Sequence, residues 1–217
     1  MKRKIWVFII AVLVFRLSAD TVAQVEYIDP AGGFTQVVTT TDRGVKTIFV
    51  SGQVGQGENL QEHVESAFQG VVRRLEQAGA SVEDVVKIRI FVKDFEPDQY
   101  GTIADVRLAT FPEGHWPAST MIGVGALFRD SLRVEIEAIA VVADPGVDLA
   151  IERFGPSNGF SGAVAVTAHD VKTVYVAGQV GQGDGLTAQT ASVWERVSRQ
   201  LATAGASMAD IVKATTY

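Results

Sequence analysis

The chain states one phrase twice. Lys46–Gly57, KTIFVSGQVGQG, returns as Lys172–Gly183, KTVYVAGQVGQG. Each copy runs an apolar, β-branched stretch into closely spaced glycines: Thr47 to Val50, then Gly52, Gly55 and Gly57. That is a buried strand entering a turn where backbone must bend sharply or let another group approach. A chain carrying this twice must build either a repeated corner or a repeated site.

The match extends without a gap. Phe34 corresponds to Phe160, Leu60 to Leu186, Leu75 to Leu201, and Ala78-Gly79-Ala80-Ser81 to Ala204-Gly205-Ala206-Ser207, with about half of the positions from Lys46 to Phe91 identical. Such a period marks duplication of one folding unit. The first unit is read as residues 26–143, the second as 152–217, with a linker over 144–151 signalled by Asp144-Pro145-Gly146.

Within the first unit, Phe34–Thr40 and Thr47–Ser51 flank Asp42-Arg43-Gly44 and predict a hairpin. Asn59 with Glu62 has the spacing of a capping box. Leu60, Val64, Phe68, Val71, Val72 and Leu75 then lie on one helical face, with Glu62, Glu65, Arg73, Arg74 and Gln77 on the wet side and Gly79 as a left-handed cap. A strand over Val85–Val92 follows. A second helix starts at Pro97-Asp98, with Tyr100, Ile103, Val106 and Phe111 as its buried stripe, and ends at Pro112. Ser119–Leu127 and Arg133–Val142 complete the unit as strands. The order ββαβαββ predicts an α+β fold, a mixed sheet with both helices on one face. The second unit stops at the position matching Phe91, so it is expected to lean on the first copy or another subunit, or to belong to a truncated reading frame.

The N-terminus has the layout of a secretory signal peptide: Lys2, Arg3 and Lys4, an apolar run from Ile5 to Phe15, then small residues. Cleavage after Ala23 is expected, with Ser18-Ala19 as the alternative junction and an uncleaved anchor as the alternative outcome. The mature protein is thus expected in the periplasm or secreted. With 0 cysteines, disulfides and thiolate-bound metals are excluded. A net charge of −6 gives no electrostatic footprint for a phosphate backbone. The His and carboxylate spacings resemble no metal site.

The motifs SGQVG, AGAS, VEDVVKIRIFVKD, PAST and VEIEAIAVV, in this order, closely resemble the RidA (YjgF/UK114) family. The resemblance covers Glu26–Val142 and, in part, Glu152–Tyr217. It implies a chorismate-mutase-like fold and homotrimers with ligand clefts between subunits. It also implies cofactor-free hydrolysis of 2-imino or 2-enamino acids to 2-oxo acids and ammonia, with other members regarded as small-ligand binders. By the same resemblance, the arginine that grips the substrate carboxylate stands directly after Pro-Ala; here that position is Ser119. A planar guanidinium makes two parallel charge-assisted bonds. Losing them costs about 2–4 kcal/mol, or roughly 30- to 1000-fold in affinity. The family's cysteine two residues on is Met121, its helix asparagine is Ala104, and its Gly-Pro-Tyr is replaced in the first copy by Gly32-Gly33-Phe34. Ser51, Gly52 and Gln53 match, as does Glu135, the counterpart of the water-positioning acid.

Glu135 is therefore the catalytic candidate, against its reading as an outward carboxylate on an alternating strand. Ser51, Gly52, Gln53, Ser119 and Met121 are the ligand-binding candidates, against tight-corner and ordinary strand readings. Arg129 is a candidate substitute cation. His115 and Trp116 sit in the loop before Ser119, His63 on a wet helix face, and His169 in a hairpin turn. The expectation is a small-metabolite cleft with deaminase activity weakened or lost, no cofactor, and a homo-oligomer, trimeric or pseudo-symmetric. The alternatives are an active imine/enamine deaminase and an RNA-binding or RNA-cleaving role.

Overall fold

The computed structural model describes residues 23–217; the basic head, apolar run and Ser18-Ala19 junction lie outside the described residues. The first segment forms β1 (Gln24–Ala31), β2 (Phe34–Asp42), β3 (Val45–Val54), α1 (Leu60–Gln77), β4 (Val85–Lys93), α2 (Tyr100–Thr110), β5 (Ala118–Val124) and β6 (Val134–Ala143). The second forms β7 (Ala150–Ser157), β8 (Phe160–Ala168), β9 (Val171–Val176) and α3 (Gly185–Thr203). All nine strands join one mixed sheet in the order β1-β2-β3-β6-β4-β5-β8-β7, with β9 on β8.

The α+β class holds, with one strand more than the sequence suggests. The extra strand, β1, pairs antiparallel with β2 from Gln24↔Thr41 to Ala31↔Phe34. Its side chains are mostly exposed, so no burial alternation announces it.

α1 forms where the capping signal puts it. The Asn59 side chain accepts from the Glu62 N–H, and Glu62 accepts in turn from the Asn59 amide at 3.0 Å. Gly79, at φ +75°, closes its far end, with the Ala80 N–H donating to the Leu75 carbonyl at 2.9 Å. Val64, Phe68, Val71 and Leu75 go down onto Ile48, Ile88, Ile90, Ile136 and Ala138, all buried. Each fully buried branched side chain contributes about 1.5–3 kcal/mol by leaving water, so this cluster carries most of the first segment's stability. Phe68 and Phe111 meet edge to face at 5.8 Å, locking α1 to the end of α2.

Two side chains depart from the predicted pattern. His63, expected wet, is buried, with Nδ1 2.9 Å from the Gly55 carbonyl; the glycine turn folds back over the helix and covers it. Tyr100, expected in the buried stripe, is exposed, because α2 starts at its N-terminal edge and the core contacts begin with Ile103.

The second segment docks on the first. β8 meets β5 in parallel at Ala118↔Ser161 and then swings across the face of the first sheet that carries no helix. A second apolar cluster forms there, from Val86, Ala118 and Val141 of the first segment with Val164, Val166 and Ala177 of the second. Ile211–Tyr217, whose sequence repeats the start of β4, form no strand.

Candidate functional site

The glycine stretch at the end of β3 carries a bulge: the β3–β6 register shifts between Val50 and Gln53. Gly52 lies there against Glu135, where a Cβ would overlap the carboxyl group. Only glycine lets that carboxylate lie on the backbone. Glu135 alternates with the core residues Val134 and Ile136, so it faces away from the helices. Burial, and then the negative charge of Glu137, push its carboxyl above the usual range. Glu137 is paired with Arg89 at 2.6 Å on the same face.

Ser51 donates to the Thr35 carbonyl at 2.6 Å, which ties the turn to β2. Gln53 points to the helix side, where its amide donates to Gln36 at 2.9 Å and accepts from Arg74 Nε at 3.3 Å. Arg74 in turn is paired with Asp29. These four side chains fill the space between the β1–β2 hairpin and α1.

Ser119 and Met121 belong elsewhere. Ser119 stands opposite Ile88 on β5, facing the helices, and Met121 packs against the first core. β6 and β4 separate β5 from β3, so Ser119 is offset from the glycine stretch by three strand spacings across the sheet, about 14 Å, and is displaced along the strands as well. The six candidate residues therefore do not converge in one copy. Gly52 and Glu135 form one half-site with Ser51 and Gln53 beside it. Ser119 and Met121 lie on the opposite edge.

What faces Ser119 is the second segment. The Gly178 N–H donates to the Ser119 carbonyl at 3.1 Å, the Ser161 N–H to the Pro117 carbonyl at 2.9 Å, and the Ser161 hydroxyl to the Trp116 carbonyl at 2.7 Å. Gly178 is the second copy's Gly52. A Cβ there would strike Thr120 Cγ2 at 2.7 Å. Lys87 closes the seam on the other face, donating to Thr120 Oγ1 and to the Val176 carbonyl, each at 2.7 Å. Burial, reinforced by Arg89, lowers its pKa to about 8.

A guanidinium does reach Ser119, and it is not Arg129, which stacks on Phe128 in the exposed turn after β5. It is Arg107 of α2. Arg107 is 2% exposed; its NH1 lies 3.4 Å from Ser119 Oγ, its NH2 donates to the Asn158 carbonyl at 2.9 Å, and its charge lies 5.1 Å from the Phe160 ring centroid. Its Nε is buried without a hydrogen-bond partner. The sequence carried a signal for this residue: Arg107 follows Ile103 and Ala104 at helical spacing and precedes Phe111, so it falls on the buried stripe, where an arginine needs a reason. Trp116, in the loop before Ser119, also packs on the first core, its indole N–H buried. Among the described residues no cluster of His, Asp or Glu is placed to hold a metal ion.

The chain is an α+β protein whose sequence repeats, with the glycine stretch of the second copy seated against β5 of the first. The model of the family described as Endoribonuclease L-PSP matches residues 25–142 and 150–217, and the chain belongs to this family, the RidA/YjgF proteins. It is similar to a 2-iminobutanoate/2-iminopropanoate deaminase of Dermatophagoides farinae, 32% identical over 121 residues, covering 52% of this chain and 88% of that one. A deaminase of the same name from Salmonella typhimurium is 34% identical over 86 residues, covering 39% and 65%. Among solved structures, a Mycobacterium tuberculosis member of the YjgF/YER057c/UK114 family is 30% identical, covers 52% of this chain and 91% of its own, and superposes with a TM-score of 0.46.

Proposed function

We propose that this is an exported small-metabolite-binding member of its family in which imine/enamine deaminase activity is weakened or lost. One observation supports this reading above the rest. Ser119 stands where the family's carboxylate-gripping arginine would be, and the guanidinium beside it, Arg107, is already committed to the Asn158 carbonyl and the Phe160 ring. That charge is buried, 2% exposed, and packed against a backbone carbonyl and an aromatic ring, so a substrate carboxylate has no open approach to it. Glu135, the water-positioning candidate, lies on the other half-site, so a complete cleft there would need a second subunit. We place the chain in a homo-oligomer for that reason, trimeric or pseudo-symmetric.

The test is a coupled assay for 2-oxo acid and ammonia release from a freshly generated 2-imino acid. Turnover indistinguishable from the uncatalysed rate is expected. Turnover far above it would establish the second reading, an active deaminase. The raised carboxyl of Glu135 against Gly52 favours that reading, and E135Q should then abolish the activity. An RNA-directed role is poorly matched to a net charge of −6. Salt-sensitive RNA binding would revive it.

A further inference from the structure

The two copies differ most where the first is most tightly stitched. Asp29, Arg74, Gln53 and Gln36 form a continuous polar chain under α1. Their counterparts are Gly155, Gln200, Gln179 and Gly162. Two side chains have become glycine, and the arginine has moved one helical turn, to Arg196 in place of Gly70. Gly70 must be small, since a Cβ there would come within 3.0 Å of the Gln53 Cβ. In the second copy Gln179 keeps that Cβ, but the strand ends at Val176, so Gln179 lies outside it and Arg196 stands at this position.

The result is a hollow of about 330 Å³ between α3 and the β7–β8 hairpin, bordered by Phe160 and Gly178 and lined by Gln179, Arg196 and Gln200. That volume is in the range of a small-molecule site. Its polar groups are under-used. Arg196 makes one hydrogen bond, NH1 to the Val180 carbonyl at 2.8 Å, and no ion pair among the described residues. Gln200 makes no side-chain hydrogen bond among them, and Gln179 donates to the Ala177 carbonyl at 3.1 Å, which leaves its amide oxygen free. An arginine has five N–H donors, so most of the guanidinium is available to a ligand.

We propose that this hollow is a ligand site in its own right, taking a small carboxylic acid with a second hydrogen-bonding group. The carboxylate binds the free edge of Arg196. The second group donates to the Gln179 oxygen; a hydroxyl there also accepts from the Gln200 amide N–H, and an ammonium there also donates to the Gln200 oxygen. Phe160 and the glycine backbone form the apolar wall. Neither Ser119 nor Glu135 lines it, and its charged group, Arg196, has no counterpart in the first copy, so its test does not depend on deaminase turnover, although Gly178 and Gln179 match the candidates Gly52 and Gln53.

The experiment uses the full chain and a panel of three- to five-carbon hydroxy and amino acids with their uncharged amides, followed by calorimetry and ligand-detected NMR. Saturable binding of at least one acid, with its amide much weaker, is expected. R196G, which installs the first copy's residue, should weaken the acid about 10- to 100-fold and leave the amide unchanged. G162Q should weaken both, because its side chain would push Gln200, which lies against Gly162, out of its place in the hollow. R196K, which keeps the charge but not the fork, reports on the same contact should R196G fail to fold, and it should weaken the acid several-fold. Circular dichroism and melting establish that each variant is folded. The proposal is overturned if no acid binds saturably, or if folded R196G and G162Q bind as the parent does.

Discussion

Between the β1–β2 hairpin and α1 the first segment's polar side chains bond one another, whereas the matching corner of the second segment leaves Arg196 and Gln200 under-used. In the first copy the space between hairpin and helix is filled by side chains that bond one another, down to an aspartate, Asp29, held at φ 54° to reach its arginine. In the second, glycine at the matching position adopts φ 57° without strain, and the arginine it would have reached is a glutamine, Gln200. The same backbone thus hosts a closed and an open version of one corner. Burial follows the same division: the first cluster is large and centred on α1, whereas α3 buries only Leu201 fully and leaves Leu186 exposed.

The largest effect that tests this contrast is in the cores. Ile90→Ala should cost about 2–5 kcal/mol by opening a cavity under α1, while Leu186→Ala, at 81% exposure, should stay within about 0.5 kcal/mol. Urea denaturation of both reads the difference; equal losses would mean that the two segments share one core. The next effect separates the two glycine turns. Gly52→Ala pushes on Glu135 of its own copy and Gly178→Ala on Thr120 across the seam. Each should cost about 1–3 kcal/mol. Only the second should raise hydrogen exchange selectively at Ser161 and Gly178.

A smaller effect is spread over pH. Lys87 is buried at the seam, whereas its counterpart Lys213 is exposed. With a folded pKa of about 8 against 10.5 when unfolded, the unfolded chain holds more protons between these values. Stability should therefore rise as pH increases from about 8 to 10.5, on the order of 2 kcal/mol. K87M should flatten that slope and K213M should not. The smallest effect is Asp29→Gly, which gives the first copy the second's residue. It removes a partly exposed ion pair and a left-handed non-glycine backbone at once, so the net change should be within about 1 kcal/mol of zero.

How much of this was legible in the sequence follows from which interactions are local. Asn59 and Glu62, Gly79, and the alternation of β4 and β6 are set by near neighbours, and they predict the elements of the first segment closely. β1 was missed because an edge strand with wet side chains carries no apolar period. His63 was misjudged because a turn eight residues away covers it. The candidate site was legible only as a set of residues. That Ser119 looks toward the helices while Glu135 looks away depends on strand order, and that Ser119 faces Gly178 depends on contacts between distant parts of the chain. Arg107 alone offered a local clue, a charge on a buried stripe.

The link between the segments is short: Asp144 to Leu149 joins β6 to β7, with a turn closed from the Val147 N–H to the Asp144 carbonyl at 3.1 Å. Such a tether holds the two halves of the seam at an effective concentration in the millimolar range. Contacts too weak to bring two free molecules together therefore still form here. Individual seam residues can then drift in identity without the halves parting, a latitude that units joined only by association do not have.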